Sequence, residues 1–279
     1  MINKKLSCGF EMPALGIGTY SFGGEYERDE SRKDEWIQAI KDAIELGYTH
    51  IDTAEIYGAV FTEELVAEAI RGVDRSKLFL TSKVWPTNFS YDSVLESAKA
   101  SLKRLNTTYL DLYLLHSFNP NIPLSETMRA MNELVDKGLV KHVGVCNFTA
   151  KQLLDAQKVS KAKIVVNQMK HSLWVKNKPD IETFKFCQEN DILITAYKIF
   201  GRNKINNDKI DLLEEMSKKY ELSVHQLMIA WVLSKKNFTT IFTSMHKDHL
   251  KSNLDALNVR ITSDDVALLD EELLINRFN

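Results

Sequence analysis

One pattern constrains this chain more than any other: a short run rich in Ile, Val, Leu or Phe, followed by a longer stretch with helical spacing, occurs eight times. The runs centre on Ile17, Ile51, Phe79, Leu112, Val143, Val166, Ile194 and Ile241, and each reads as a buried strand. Between them, apolar residues such as Trp36, Ile37, Ile40, Ala43 and Ile44, or Leu95, Ala98, Leu102 and Leu105, fall at three- and four-residue steps. That spacing predicts helices with one buried stripe. Gly47 and Gly138 stand where a left-handed residue ends a helix, Pro179 suits a first helical turn, and Thr149 with Gln152 forms a capping-box pattern. Two helical segments, Asp211 to Tyr220 and Val224 to Leu233, separate the last two strands. Ahead of the first strand, Leu6 to Pro13 contains Gly9 and Pro13 and predicts a hairpin lid.

Alternating strands and helices over 279 residues predict an α/β fold, a single (β/α)8 TIM barrel, whose usual length is about 250 residues. No low-complexity stretch, Pro/Gly/Ser linker or change of composition marks a boundary, so residues 1–279 are expected to form one domain. A doubly wound open sheet would need a glycine-rich turn opening a helix after the first strand. Gly16-x-Gly18 runs instead into Thr19, Tyr20 and Ser21, where no helix begins.

Charge narrows the partners. Lys and Arg number 36 against 38 Asp and Glu, a net charge of −2 with the signs interleaved, which gives no field for nucleic acid or membrane. Cys8, Cys146 and Cys187 are far apart and form neither a disulfide framework nor a zinc knuckle, in keeping with a reducing compartment. Lys4 and Lys5 precede no apolar segment, and the longest apolar run, Leu227 to Leu233, is too short to span a bilayer. A soluble cytoplasmic protein is expected, monomeric, with a weak dimer as the alternative. The tripeptides beginning at Asn88, Asn106 and Asn147 then read as chance matches to the glycosylation acceptor.

In such a barrel the carboxyl ends of the strands carry the chemistry. Here they offer Asp52, with Tyr57 five residues on, then Lys83, His116, Cys146 with Asn147, Asn167 with Gln168, Tyr197 with Lys198, and Thr243 with Ser244. Singly, each has an ordinary explanation as a cap, a snorkelling amine or a satisfied imidazole. Together, a carboxylate, a phenol, an ammonium and an imidazole at one barrel face make a proton-donating site. A free phenol has a pKa of about 10. An ammonium about 4 Å away, at an effective dielectric near 20, favours phenolate by about 4 kcal/mol. Lys83 is therefore expected to make Tyr57 a stronger acid than a free phenol, and Asp52 to keep Lys83 charged.

The segments His50-Ile-Asp52-Thr-Ala-Glu-Ile-Tyr57-Gly, Thr81-Ser-Lys83-Val-Trp-Pro86, Leu114-Leu-His116, Gly144-Val-Cys146-Asn147-Phe148, Val166-Asn-Gln168 and Ile194-Thr-Ala-Tyr197 resemble the aldo-keto reductase family. The likeness runs from about Leu15 to the final helix in the family's order. It implies a (β/α)8 barrel that reduces aldehydes or ketones with NADPH, or less often NADH, and without a metal. It further implies that Tyr57 is the general acid, Lys83 tunes it, Asp52 pairs with Lys83, and His116 orients the substrate carbonyl. Asn147 and Gln168 would bind the nicotinamide carboxamide beside Cys146, and Tyr197 would stack on the ring. Asp52, Thr19 and Tyr20 would face the nicotinamide ribose.

The chain departs from that family in four places. Cys146 stands where serine is frequent and donates a weaker hydrogen bond. Lys198-Ile199-Phe200-Gly201 replaces a Ser-x-Leu-Gly stretch along the pyrophosphate, with Lys198 as a compensating charge. At the adenosine 2′-phosphate segment, Phe242 and Thr243 replace Pro and Lys, Ser244 is kept and His249 takes an arginine position. Lys247 and Lys251 are expected to restore part of the lost charge, and Asn253 matches the adenine-contacting position. NADPH is the expected cofactor, with NADH as the alternative. Val60 replaces a glycine after Tyr57, and because a β-branched residue is poorly suited to positive φ, this loop is expected to take a different path.

The substrate mouth is expected to include Tyr20, Phe22, Trp85 and Phe118, an apolar and partly aromatic lining suited to small or medium aldehydes. Two other readings compete with a reductase. One is a regulatory protein that keeps the fold and cofactor without turnover; the other is a metal-dependent hydrolase, for which only His116 is well placed and His246 with His249 is a poor pair.

Overall fold

The computed structural model describes residues 2–171, 178–200 and 207–274. It opens with two short antiparallel strands, β1 (Asn3–Lys5) and β2 (Glu11–Pro13), and then enters the strand and helix repeat. The barrel strands are β3 (Leu15–Gly18), β4 (His50–Asp52), β5 (Phe79–Val84), β6 (Leu110–Leu115), β7 (Val140–Cys146), β8 (Ile164–Lys170), β9 (Leu193–Tyr197) and β10 (Phe238–Phe242). All pair in parallel, and β10 returns to β3 to close the ring. Every predicted run lies in one of these strands. Because both faces of each strand are covered, the runs are continuously apolar rather than alternating.

The surrounding helices are α1 (Lys33–Glu45), α2 (Phe61–Ala69), α3 (Tyr91–Arg104), α4 (Leu124–Asp136), α5 (Ala150–Val159), α6 (Lys178–Glu189), α7 (Asn207–Lys219), α8 (Val224–Ser234), α9 (Lys247–Asp255) and α10 (Ser263–Leu274). Their ends follow local chemistry. Gly47, at φ 102°, lets its own N–H reach Ile44 and that of Tyr48 reach Ala43, which satisfies the last carbonyls of α1. Thr149 and Gln152 bond reciprocally at the start of α5 as the sequence predicts, and Ser223 with Gln226 does the same for α8. Helix α8 buries Leu227 through Val232 on all sides, which accounts for the long apolar run. No described helix is long and apolar enough to cross a membrane.

The predicted hairpin is present, a lid on the end of the barrel opposite the strand ends that carry the candidate chemistry. Leu6, Phe10 and Met12 pack against Leu112, Leu114, Val165 and Leu193 inside the barrel, and the Phe10 ring lies 4.7 Å from that of His142 near the start of β7. It closes the amino end. Lys83 and Asp52 emerge at the other.

Two contacts fix the elements that carry the site. Gly16 faces His50 so closely that a Cβ there would lie 2.4 Å from the imidazole, so only glycine lets β3 and β4 pair at this point. Between α2, β5 and α3, the buried Glu63 accepts hydrogen bonds from Ser82 at 2.5 Å and from Arg104 at 2.6 Å. Such a pair holds position because removing one partner would strand a buried charge.

Candidate functional site

A cavity of about 400 Å³ opens at the carboxyl ends of the strands. Asp52 ends β4 and Lys83 lies near the end of β5, so neighbouring strands bring their side chains together inside the barrel. Lys83 is fully buried, and its Nζ donates to Asp52 Oδ1 at 2.5 Å and to the Thr53 carbonyl at 2.8 Å. It also reaches the Tyr57 hydroxyl at 3.5 Å. Gln168, on β8, donates from Nε2 to Asp52 Oδ2 at 2.8 Å. Both carboxylate oxygens are therefore committed.

Electrostatics follows from this geometry. Burial is the largest single effect on Lys83 and opposes its charged form, but Asp52, Tyr57 and Cys146 together outweigh it and hold the ammonium above its ordinary range. Burial is also the largest effect on Tyr57. It pushes the hydroxyl well above an ordinary phenol, while Lys83 pulls it down and Asp52 offsets part of that pull. The expectation that Lys83 makes Tyr57 a stronger acid than a free phenol is thus not met, because the desolvation of a buried phenolate exceeds the attraction of an ammonium already neutralised by Asp52. His116 immediately follows β6, its ring 5.5 Å from that of Tyr57. Burial, followed by the Lys83 charge, takes its pKa down to about 3, so it is a neutral imidazole at physiological pH. Its buried Nδ1 has no hydrogen-bond partner among the described residues.

The turn after Tyr57 corrects a second expectation. Val60 does adopt positive φ, at 75°, and it follows Gly58 at 54° and Ala59 at 47°. Three left-handed residues in succession are costly. Their neighbours enforce them: the Gly58 N–H donates to the Glu25 carbonyl at 3.1 Å, and a Cβ on Gly58 would lie 2.5 Å from the Gly23 carbonyl oxygen. Val60 fits because its side chain remains partly exposed.

Tyr20, Cys146, Asn147, Gln168, Tyr197 and Lys198 line the cavity, as do Asp52, Tyr57 and His116. Asn147, just past β7 at φ 56°, accepts from the Tyr197 hydroxyl at 3.1 Å, and its N–H donates to the Gln168 carbonyl at 2.9 Å. The Cys146 thiol is buried and held well above the usual thiol range, principally by burial.

Other expected residues lie elsewhere. Thr19 is buried with its hydroxyl donating to the Asp52 carbonyl at 2.9 Å, so it braces β4 rather than the cavity. Phe22 points into the core and stacks near Trp36, 6.4 Å between centroids. Phe118 packs edge-on against Phe148 at 5.6 Å. Trp85 stands behind the lining, 5.1 Å from the His116 ring and 6.3 Å from that of Tyr26. Ser244, His249 and Asn253, in and before α9, are not part of the cavity wall. Lys247 is drawn toward α1, pairing with Asp42 at 3.2 Å and Glu45 at 2.8 Å, so its charge is already engaged. Gly201 lies outside the described residues.

Ile199, Phe200, Phe242 and Thr243, read from the sequence as parts of cofactor-binding segments, also line the cavity, whereas sequence reasoning missed Gly18, Ser21, Tyr26 and Ile241 as lining. Gly18 and Ile241 were findable, since they lie at the ends of the first and eighth barrel strands. Tyr26 had no signal, because its position depends on a loop that folds back through Gly23 and Gly24. Among the described residues, no cluster of three or more His, Cys, Asp or Glu could hold a metal ion.

These donors suit a dinucleotide. Two amides, a flat phenol face and a cation line one cavity with His116, a set that fits an aromatic carboxamide and a diphosphate.

The comparisons agree with this chemistry. A sequence model described as the Aldo/keto reductase family matches residues 14–273. Methylglyoxal reductase YeaE of Escherichia coli is 32% identical over 264 residues, covering 93% of this chain and 90% of that protein. The structure of a thermostable aldo-keto reductase, Tm1743, in complex with the inhibitor epalrestat superposes with a TM-score of 0.93 at 40% identity, covering 98% of this chain and 100% of that one. An aldo-keto reductase from Klebsiella pneumoniae in complex with NADPH gives a TM-score of 0.85 at 28% identity over 98% of this chain and 96% of that one.

Proposed function

The chain belongs to the aldo/keto reductase family, and from that premise we propose that the cavity reduces small aldehydes or ketones to alcohols, with Tyr57 as proton donor. NADPH is the cofactor that its structural neighbours bind, and when bound it supplies the hydride. Asn147 and Gln168 would hold the nicotinamide carboxamide, Tyr197 would lie against the ring, and Lys198, the cation in the described cavity wall, would face the diphosphate.

The observation that carries the proposal is the contact of Lys83 with both Asp52 and Tyr57. Burial keeps Tyr57 protonated, so the acid is loaded across the neutral range. As negative charge develops on the carbonyl oxygen, Tyr57 gives up its proton, and the nearby ammonium stabilises the phenolate left behind. Asp52 keeps that ammonium charged throughout. Neutral His116 donates a hydrogen bond to the same oxygen and fixes its direction without competing as an acid.

Methylglyoxal reductases among the relatives support a small carbonyl substrate. One domain over 1–279, a monomeric state and a cytoplasmic location complete the reading, supported by the single closed barrel and by the bacterial reductase relatives. The test is NADPH oxidation with a panel of aldehydes. Turnover that survives Tyr57→Phe unchanged would remove Tyr57 from its role, and cofactor binding without turnover across the panel would favour a regulatory protein.

A further inference from the structure

Glu55 stands two residues before Tyr57 and is not part of the described cavity wall, yet only 7% of it is exposed. Its Oε1 accepts from the Trp85 N–H at 2.6 Å and from Asn88 Nδ2 at 3.0 Å, and its own N–H donates to the Lys83 carbonyl at 3.3 Å. Both donors to the carboxylate are neutral amides. A buried acid loses hydration, so these two bonds, both to the segment that follows β5, are what offset its burial.

That segment joins three members of the site. The Lys83 carbonyl takes the Glu55 N–H, and the Val84 carbonyl takes the His116 N–H at 3.0 Å. Trp85 then leads into the short 3₁₀ turn Pro86–Asn88, where the Asn88 N–H returns to the Trp85 carbonyl at 2.9 Å. The Trp85 ring meets that of His116 edge-on at 5.1 Å, and the His116 ring lies 5.5 Å from that of Tyr57. The path closes on itself: Glu55 to Trp85, Trp85 to His116, His116 to Tyr57, and two residues of chain back to Glu55.

We propose that Glu55 is a positioning residue for carbonyl reduction. By holding Trp85 it keeps the His116 imidazole aligned with the Tyr57 hydroxyl, so that both donors converge on one carbonyl oxygen. This rests on the reductase reading above. Asn147, Gln168 and Tyr197 come from the ends of β7, β8 and β9, so the effect should fall on the carbonyl chemistry and spare NADPH binding.

Glu55→Met tests it, because a displacement of about 1 Å in a reacting group costs up to about 100-fold in rate. With the most active aldehyde of the panel, kcat/KM should fall by about 10- to 100-fold, chiefly through kcat, while NADPH affinity stays within about twofold of wild type. Glu55→Gln, whose amide oxygen still accepts from Trp85 and Asn88, should stay within about threefold of wild type. Trp85→Ala keeps the backbone N–H but removes the ring, so adding Glu55→Met to it should cost nothing further. A released Trp85 is also visible without turnover. Its fluorescence, taken as the difference from Trp85→Phe in each background, should shift to the red and become more open to acrylamide in Glu55→Met.

Losses that add in the double variant, a glutamine variant as impaired as the methionine one, or a lower melting temperature with unchanged kcat/KM would each overturn the proposal. Should Glu55→Met not fold, Asn88→Leu removes one of the two donors and should lower kcat/KM about threefold with a red shift of Trp85; no change in either is equally fatal. Wild type that turns over no aldehyde counts against the reductase reading, and the fluorescence then still decides whether Glu55 holds Trp85.

Discussion

Gln168 donates to Asp52 Oδ2 at 2.8 Å while Lys83 holds the other carboxylate oxygen, so the amide expected to meet the cofactor also braces the ion pair behind the acid. A buried hydrogen bond to a charged group contributes about 1.5–3 kcal/mol. Gln168→Met should therefore weaken NADPH binding and lower kcat together, each by about 10-fold. Fluorescence titration and steady-state kinetics on the same preparation check both. A loss confined to binding would separate Gln168 from the ion pair.

Tyr57→Phe removes the proton and little else, because the ring remains packed against Tyr20 and His116. Its kcat should fall by about 10² to 10⁴ with an unchanged melting temperature. Lys83→Met differs. It leaves Asp52 buried without its cation, a loss of about 3–5 kcal/mol, and should lower both thermal stability and kcat. Denaturant unfolding of the two variants distinguishes a chemical role from a structural one.

The pH profile follows from the signs. His116 has a pKa pushed down to about 3, so lowering the pH from 8 to 5 does not charge it. Tyr57 is shifted up and stays protonated as the pH rises through the neutral range. Reductive kcat/KM should be level across pH 5–9 and fall only at alkaline values where the phenol ionises. An acidic limb near pH 6.5 would show that His116 titrates as an ordinary imidazole.

Backbone strain beside the acid can be relieved or worsened. Val60→Gly suits φ 75° and should stabilise the fold by up to about 1 kcal/mol, the gain reduced by glycine's extra unfolded-state entropy. Gly58→Ala would drive a Cβ to 2.5 Å from the Gly23 carbonyl oxygen. It should cost about 1–3 kcal/mol and lower kcat by displacing Tyr57. Thermal melts and kinetics on both variants check these opposite signs.

The barrel was legible because eight apolar runs at regular intervals leave few other solutions, and each strand's last residues then declared themselves by position. Lys83, Asp52 and His116 needed only that logic. Phe22 and Phe118 misled because a strand-end aromatic can turn inward or outward with the same local sequence. Tyr26 was invisible because long-range contacts of Gly23 and Gly58, not local pattern, set its loop. The acidity of Tyr57 was misjudged because pairwise attraction can be estimated from residue types, whereas burial requires the folded surroundings.

The β1–β2 hairpin has a kinetic corollary. With the floor of the barrel stoppered by Leu6, Phe10 and Met12, traffic passes through one doorway. Cofactor, substrate and product must all come and go across the same rim.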